Sequence, residues 1–340
     1  MDLPPPTEQV YHVDEHYYQK TQEDLANPDL LPVSYTVRTN NTPLSPPSGW
    51  YGNAHLWFAE KMFDSKGEGS KQNALRARES INLEGNIRYE RRTLDIDGAK
   101  GDVLFMTNPS SISNDRWTVI SFGIRALYEN RVAQEADKGL GPLQQMMEMC
   151  NTNLVVYNYP GMGASDDTPL FRESTVRAHN GVLEFLYDEK HPKQVVDYGH
   201  SFGGFVISEG CASRPSAKSV SRITVFDRTD IQASNILWND GYAEWFLDKT
   251  LNWNMGIDLS KEDNPIIAMM NVETDRAVRL RPGDTFTYTD KAVTQGTSVA
   301  NIMLNTVENP FVIGIPGQHN DTCPDFSVLG ECIEEIFSSS

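Results

Sequence analysis

The chain has 340 residues, with 29 Lys plus Arg against 47 Asp plus Glu and a formal net charge of −18. That balance repels phosphate backbones and anionic lipid headgroups, so nucleic acid is excluded as an expected partner. No apolar run reaches the roughly 18 residues that cross a bilayer, and Met1-Asp2-Leu3-Pro4-Pro5-Pro6 has neither a basic nor an apolar leader region, which reads as a cytoplasmic protein without a transmembrane segment.

Residues 1 to 80 are rich in Pro, Asn, Ser and Gly, and Pro43-Leu44-Ser45-Pro46-Pro47 breaks any long periodic element, so the segment reads as an extension of the main domain. Its one expected helix is Ala54 to Phe63, whose aromatic face can dock on the rest. From residue 81 a single α/β domain is expected to run to 340. It opens with alternating residues from Ile87 to Ile96, a polar turn over Asp97 to Gly101 and Val103 to Met106, which together predict a hairpin.

Buried-looking strands then follow at Trp117 to Phe122, Leu154 to Asn158, Gln194 to Asp197, Ile223 to Phe226, Ile266 to Met270 and Phe311 to Ile315, separated by helix-length segments. Strand–helix alternation after an antiparallel start predicts a mostly parallel sheet with helices on both faces. Within residues 230 to 264, Trp238, Tyr242, Trp245 and Phe246 recur at helical spacing with Trp253 beyond, which predicts a small cap that packs on the core or lines an acyl pocket. The chain ends in an amphipathic helix from about Ser327 to Phe337.

The most informative stretch is Tyr198-Gly199-His200-Ser201-Phe202-Gly203-Gly204. A short apolar strand stops at Gly199, small residues surround one serine, and a helix can begin directly afterwards. This is the pattern of a nucleophile elbow, in which a strained strand-to-helix turn projects the serine oxygen above the sheet edge. The N–H of Phe202 then points into the same space as one oxyanion donor. The second is expected from the loop after the strand ending at Phe122, with Ile124 N–H first choice and Arg125 as a neighbour able to bind an anionic group.

A serine hydroxyl needs an imidazole to take its proton and a carboxylate to orient that imidazole, in chain order Ser, acid, His on this scaffold. Only His319 lies C-terminal to Ser201. Asp275, in the loop after the strand ending at Met270, is the expected acid. Asp227, one strand earlier, is its competitor, with Glu273 the fallback. The four cysteines lack CxxC spacing and the seven histidines form no HxH or HExxH arrangement, so neither a disulfide scaffold nor a metal or other cofactor is expected.

Together these pieces resemble the α/β-hydrolase superfamily over about residues 87 to 325. Within it, Tyr157-Asn158-Tyr159-Pro160-Gly161, the Ser201 elbow, Trp253-Asn254-Met255 and Gly314-Ile315-Pro316-Gly317-Gln318-His319-Asn320-Asp321 look like the CHLPS-type hydrolases of intracellular bacteria. The resemblance implies an α/β-hydrolase fold and cofactor-free hydrolysis of an ester, thioester or amide, with Ser201 as nucleophile, His319 as base and Asp275 or Asp227 as acid. A small carboxylic ester, lipid or short-chain, is the expected substrate. The rival readings are a pseudo-hydrolase that serves as a binding or regulatory module and an acyltransferase. The acidic tail from Gly330 to Ser340 also resembles C-terminal translocation signals of type IV secretion effectors, which would place the protein in a host cell.

Overall fold

A computed structural model describes residues 15–38, 70–79, 81, 87–108, 115–124, 126–133, 141–166, 172–213, 220–231, 264–321, 323 and 325–339. The expected helix Ala54 to Phe63, Arg125 and nearly all of the cap segment, with its aromatic stripe, lie outside the described residues.

Ten strands form one sheet: β1 (Val33–Val37), β2 (Arg88–Ile96), β3 (Ala99–Thr107), β4 (Arg116–Ser121), β5 (Asn153–Tyr157), β6 (Gln194–His200), β7 (Ser221–Asp227), β8 (Ile266–Asn271), β9 (Val278–Leu280) and β10 (Phe311–Ile315). Their spatial order is β1-β2-β3-β5-β4-β6-β7-β8-β10-β9. The six strands β5, β4, β6, β7, β8 and β10 run parallel, whereas β3 and β9 pair antiparallel at the two ends of that block. This is an α/β-hydrolase fold, and every strand expected from the sequence is present. The sequence reading did not include β1, set among prolines, or β9, too short to show a period.

The parallel strands are buried on both faces, which is why they read as continuous apolar runs. In β8, Ile267 and Met269 enter one core while Ala268 and Met270 enter the opposite one. The first core is covered by α3 (Tyr128–Ala133), α4 (Pro142–Met149) and α8 (Ser327–Ser339). The other face carries α5 (Arg172–Phe185), α6 (Gly203–Ser213) and α7 (Val299–Thr306). In α8, Leu329, Cys332, Ile333 and Ile336 are buried, and a Cβ at Gly330 would stand 2.1 Å from the Met149 carbonyl oxygen, so that helix sits hard against α4.

The described parts of the N-terminal segment belong to the same sheet and core. Besides β1, they include α1 (Glu15–Ala26) and α2 (Lys71–Arg78), the latter capped by Ser70, whose hydroxyl accepts from Asn73 N–H. A buried four-charge cluster joins them to the domain. Arg78 donates to Asp102 at 2.6 Å and to Glu129 at 2.6 Å, while Arg91 donates to Asp102 at 2.7 Å. Both arginines also donate to the Asn27 carbonyl. Two cations against two carboxylates leave no net buried charge, and removing any one member would strand its partner at a cost of about 3–5 kcal/mol.

Candidate active site

The site lies at the carboxyl ends of the parallel strands. Ser201 follows β6 with φ at +53°, in the left-handed region that L residues rarely adopt. Its surroundings explain the glycines. A Cβ at Gly199 would lie 2.6 Å from the Gly203 carbonyl oxygen, and one at Gly203 would lie 1.9 Å from that of Ser121. The turn is held by Ser201 N–H donating to the Asp227 carbonyl at 2.8 Å and by the Thr229 hydroxyl donating to the Ser201 carbonyl at 3.2 Å. The strain at Ser201 is therefore offset by backbone bonds to β7 and packing that only glycine permits.

His319 sits in the loop after β10, with Nε2 2.8 Å from Ser201 Oγ and Nδ1 2.9 Å from Asp290 Oδ2. Asp290 is buried, and its second oxygen accepts from the N–H groups of Ala292 at 2.8 Å and Val293 at 3.2 Å. An ionised carboxylate only accepts, so Nδ1 carries the proton donated to Asp290 and Nε2 is left to accept from the Ser201 hydroxyl. Such a relay can deprotonate an alcohol and hold the resulting imidazolium.

Asp275, the expected acid, is not at the imidazole. It is exposed, on the rim of a surface cleft shared with Glu273, Thr289, Gly317 and Gln318. The correction has a topological cause. After β8 the chain leaves through β9 and then returns along the end of β8, where Glu273 N–H donates to the Thr287 carbonyl at 2.8 Å and Thr289 N–H to that of Asn271 at 3.1 Å. That return carries Asp290, not the residue nearest β8 in sequence, to His319. The strand-like run Thr285-Phe286-Thr287-Tyr288-Thr289 before Asp290 was the signal that could have revealed it.

Asp227, the competitor, lies under the site. It takes both Nε and Nη2 of Arg228 at 2.8 Å each, the Tyr198 hydroxyl at 2.6 Å and His200 Nδ1 at 2.9 Å. Burial works against its charge, yet Arg228 and His200 hold its carboxyl well below the usual range. Arg228 Nη1 in turn donates to the carbonyls of Gln318 at 3.2 Å and Asp321 at 2.6 Å, the residues flanking the His319 loop. Asp227 thus fixes the arginine that fixes the loop. The same loop is tightened by Gln318 N–H donating to Asp321 Oδ2 at 2.7 Å, around Gly317 at φ +97°.

Phe202 begins the turn into α6 and is buried, and Ile124 lies in the half-buried loop after β4. A Cβ on neighbouring Gly123 would stand 3.4 Å from Ser201 Cβ, so this loop passes beside the serine. The Tyr159 hydroxyl anchors it by donating to the Phe122 carbonyl at 2.6 Å.

An α/β-hydrolase protein is what this fold and edge define. The profile of the family described as Chlamydia CHLPS protein (DUF818) matches residues 53–295, and the chain belongs to that family. No curated protein matches it. Among solved structures, an alpha-beta hydrolase from Vibrio vulnificus is similar over 92% of this chain and 98% of its own, at 13% identity and a TM-score of 0.55. Est1E from Butyrivibrio proteoclasticus, solved with ferulic acid, matches 73% of this chain and 98% of its own at 14% identity and a TM-score of 0.48. An esterase of Pyrococcus furiosus matches 74% of this chain and 88% of its own at 12% identity and a TM-score of 0.44. Among the described residues no helix is long and apolar enough to cross a membrane.

Proposed function

We propose that the protein is a serine hydrolase that cleaves a small carboxylic ester through an acyl-enzyme on Ser201. The observation that carries this reading is the continuous relay from Ser201 Oγ through His319 to Asp290, at 2.8 and 2.9 Å. His319 Nε2 takes the hydroxyl proton as Oγ attacks the ester carbonyl, and Asp290 stabilises the imidazolium formed. The carbonyl oxygen becomes an oxyanion, for which the N–H groups of Phe202 and Ile124 are the assigned donors. Collapse expels the alcohol, which receives the proton from Nε2. Water deprotonated by the same nitrogen then attacks the acyl carbon and releases the acid, regenerating the serine.

The test is labelling of the full chain by a fluorophosphonate, alongside hydrolysis of 4-nitrophenyl esters of graded chain length. We expect stoichiometric labelling that disappears in Ser201→Ala. An unlabelled wild-type protein that leaves every ester intact would end this reading.

A further inference from the structure

On the face of the sheet covered by α3, α4 and α8, a cleft of about 50 Å³ opens under the His319 loop. Ile120 and Phe122, Leu143 and Met146 of α4, and Phe326 make its apolar walls. Its polar lining is Arg131, Tyr198, His200, Asp227, Arg228 and Asp321. Nearly all of that polar surface is already committed. Arg228 gives Nε and Nη2 to Asp227 and Nη1 to two carbonyls, and the Asp227 oxygens are filled by Arg228, Tyr198 and His200. The Asp321 carboxylate accepts from Gln318 N–H within its own loop.

Arg131, from the last turn of α3, is the exception. It is half-buried, it lines the cleft, and among the described residues no carboxylate or carbonyl accepts from it. Burial, and then the like charge of Arg228, press its pKa down from the ordinary value, against the upward pull of Tyr198 and Asp227. Partly desolvating such a group beside a second guanidinium is unfavourable in the free protein, and an entering anion offsets that cost. The planar guanidinium fork matches a carboxylate bidentately. At about 10–15 Å³ per water-sized group, the cleft holds roughly three to five such groups, the size of a carboxylate with one or two methylenes.

We propose that this cleft is a carboxylate subsite built on Arg131, and that the substrates are esters bearing a carboxylate on a short aliphatic chain. The substrate part of the proposal rests on Ser201 acting as nucleophile. The cleft adjoins that chemistry through His200, whose ring centroid is 5.4 Å from that of His319. Apolar walls beside one guanidinium that no internal acceptor among the described residues engages favour an alkyl carboxylate over inorganic phosphate, which would leave the walls facing a doubly charged, strongly hydrated ion.

Two measurements on the full chain test it. In the first, butyrate and inorganic phosphate are titrated calorimetrically into wild type, Ser201→Ala, Arg131→Met and Arg131→Lys. Butyrate is expected to bind wild type and Ser201→Ala equally, Arg131→Lys less tightly, and Arg131→Met about 10–100-fold more weakly, as loss of charge-assisted hydrogen bonds implies. Arg131→Met removes no hydrogen bond found among the described residues, so it should melt no lower than wild type. Absence of butyrate binding to wild type, equal binding to Arg131→Met, or tighter binding of phosphate would each overturn the subsite.

In the second, kcat/KM is compared for 4-nitrophenyl hemiglutarate and 4-nitrophenyl pentanoate. Wild type should prefer the hemiglutarate, and Arg131→Met should lower that preference about 10–100-fold. Cleavage of both esters with no Arg131-dependent preference would sink the substrate assignment while leaving the hydrolase intact. If neither ester is cleaved, yet butyrate binding still depends on Arg131, the hydrolase reading falls and the subsite stands.

Discussion

Two Ser–His–Asp clusters lie within this one sheet, and they contain the same three residue types in different settings. Ser201, His319 and Asp290 occupy loops at the strand ends. Ser121, His179 and Asp197 lie in the interior, with His179 Nδ1 3.2 Å from Ser121 Oγ and Nε2 3.2 Å from Asp197. The inner serine ends β4 as an ordinary strand residue, and its hydroxyl also meets Tyr157 at 2.7 Å. The inner aspartate is ion-paired with Arg222 as well. Burial alone would raise the Asp197 carboxyl, but His179 and Arg222 hold it below its ordinary value.

All three inner residues are fully buried, so no substrate carbonyl can reach Ser121. The inner cluster links β4, β5, α5, β6 and β7, and its function is cohesion. What separates the proposed catalytic constellation from the structural one is the backbone beneath the serine, a left-handed elbow walled by glycine, rather than the identity of the three side chains.

The sharpest way to break this comparison is to remove each serine in turn. Ser201→Ala or His319→Ala should lower kcat by a factor on the order of 10⁶, because nucleophile and base act as a unit, and should leave thermal stability near wild type. Ser121→Ala should instead leave fluorophosphonate labelling complete and cost about 1 kcal/mol of stability through its lost hydrogen bonds. Label on Ser121 in the Ser201→Ala protein would reverse the roles assigned here.

The next largest effect concerns the acid. Asp290→Asn should reduce kcat about 10⁴-fold, since an amide at this position stabilises the wrong imidazole tautomer. Asp275→Asn should match wild type in the same assay. A substantial loss in Asp275→Asn, with Asp290→Asn active, would mean that the loop closes differently around substrate.

That pair of variants also marks how far the sequence could be read. Ser201 and His319 are legible because local rules identify them: a glycine-walled turn after an apolar strand, and the one histidine C-terminal to it. Asp290 is selected by a non-local event, the return of the chain along β8, and nothing within ten residues of β8 announces it. The hairpin and the parallel strands are legible because burial on one or both faces writes a period into the residues. The joining of the N-terminal segment to the sheet is not, because it depends on β1 pairing with β2 across the chain and on Arg78 and Arg91 meeting Asp102 inside. Asp227 attracted attention for a sound reason, its place at a strand end. Its partner Arg228 follows it directly, but only the fold reveals that this arginine clamps the His319 loop.

Within the inner cluster, Asp197→Asn should unfold at a urea concentration lower by an amount equivalent to about 3–5 kcal/mol, because it removes the buried carboxylate charge that faces Arg222 and His179. Near-wild-type stability would instead imply that water reaches Arg222. At a temperature where the variant remains folded, its ester hydrolysis should stay within a few-fold of wild type, in contrast to Asp290→Asn.

A further effect, confined to acid pH, lies at His200, against Asp227 and beside His319. Burial, and then the charge of Arg228, hold its imidazole down at about 4, although Asp227 pulls the other way. A neutral ring therefore stands beside His319, so in the proposed mechanism the imidazolium meets no second positive charge from His200. The unfolded chain takes up this proton near pH 6.5, whereas the folded protein does so only near 4. Between those values the unfolded state binds more protons, so stability falls as the pH is lowered, by about 3 kcal/mol in total for this one group. Above pH 6.5 and below about 4 the same group contributes no slope. Urea unfolding followed across this range should show the slope in wild type and lose it in His200→Gln. A variant that keeps the full slope would assign the acid sensitivity to other groups.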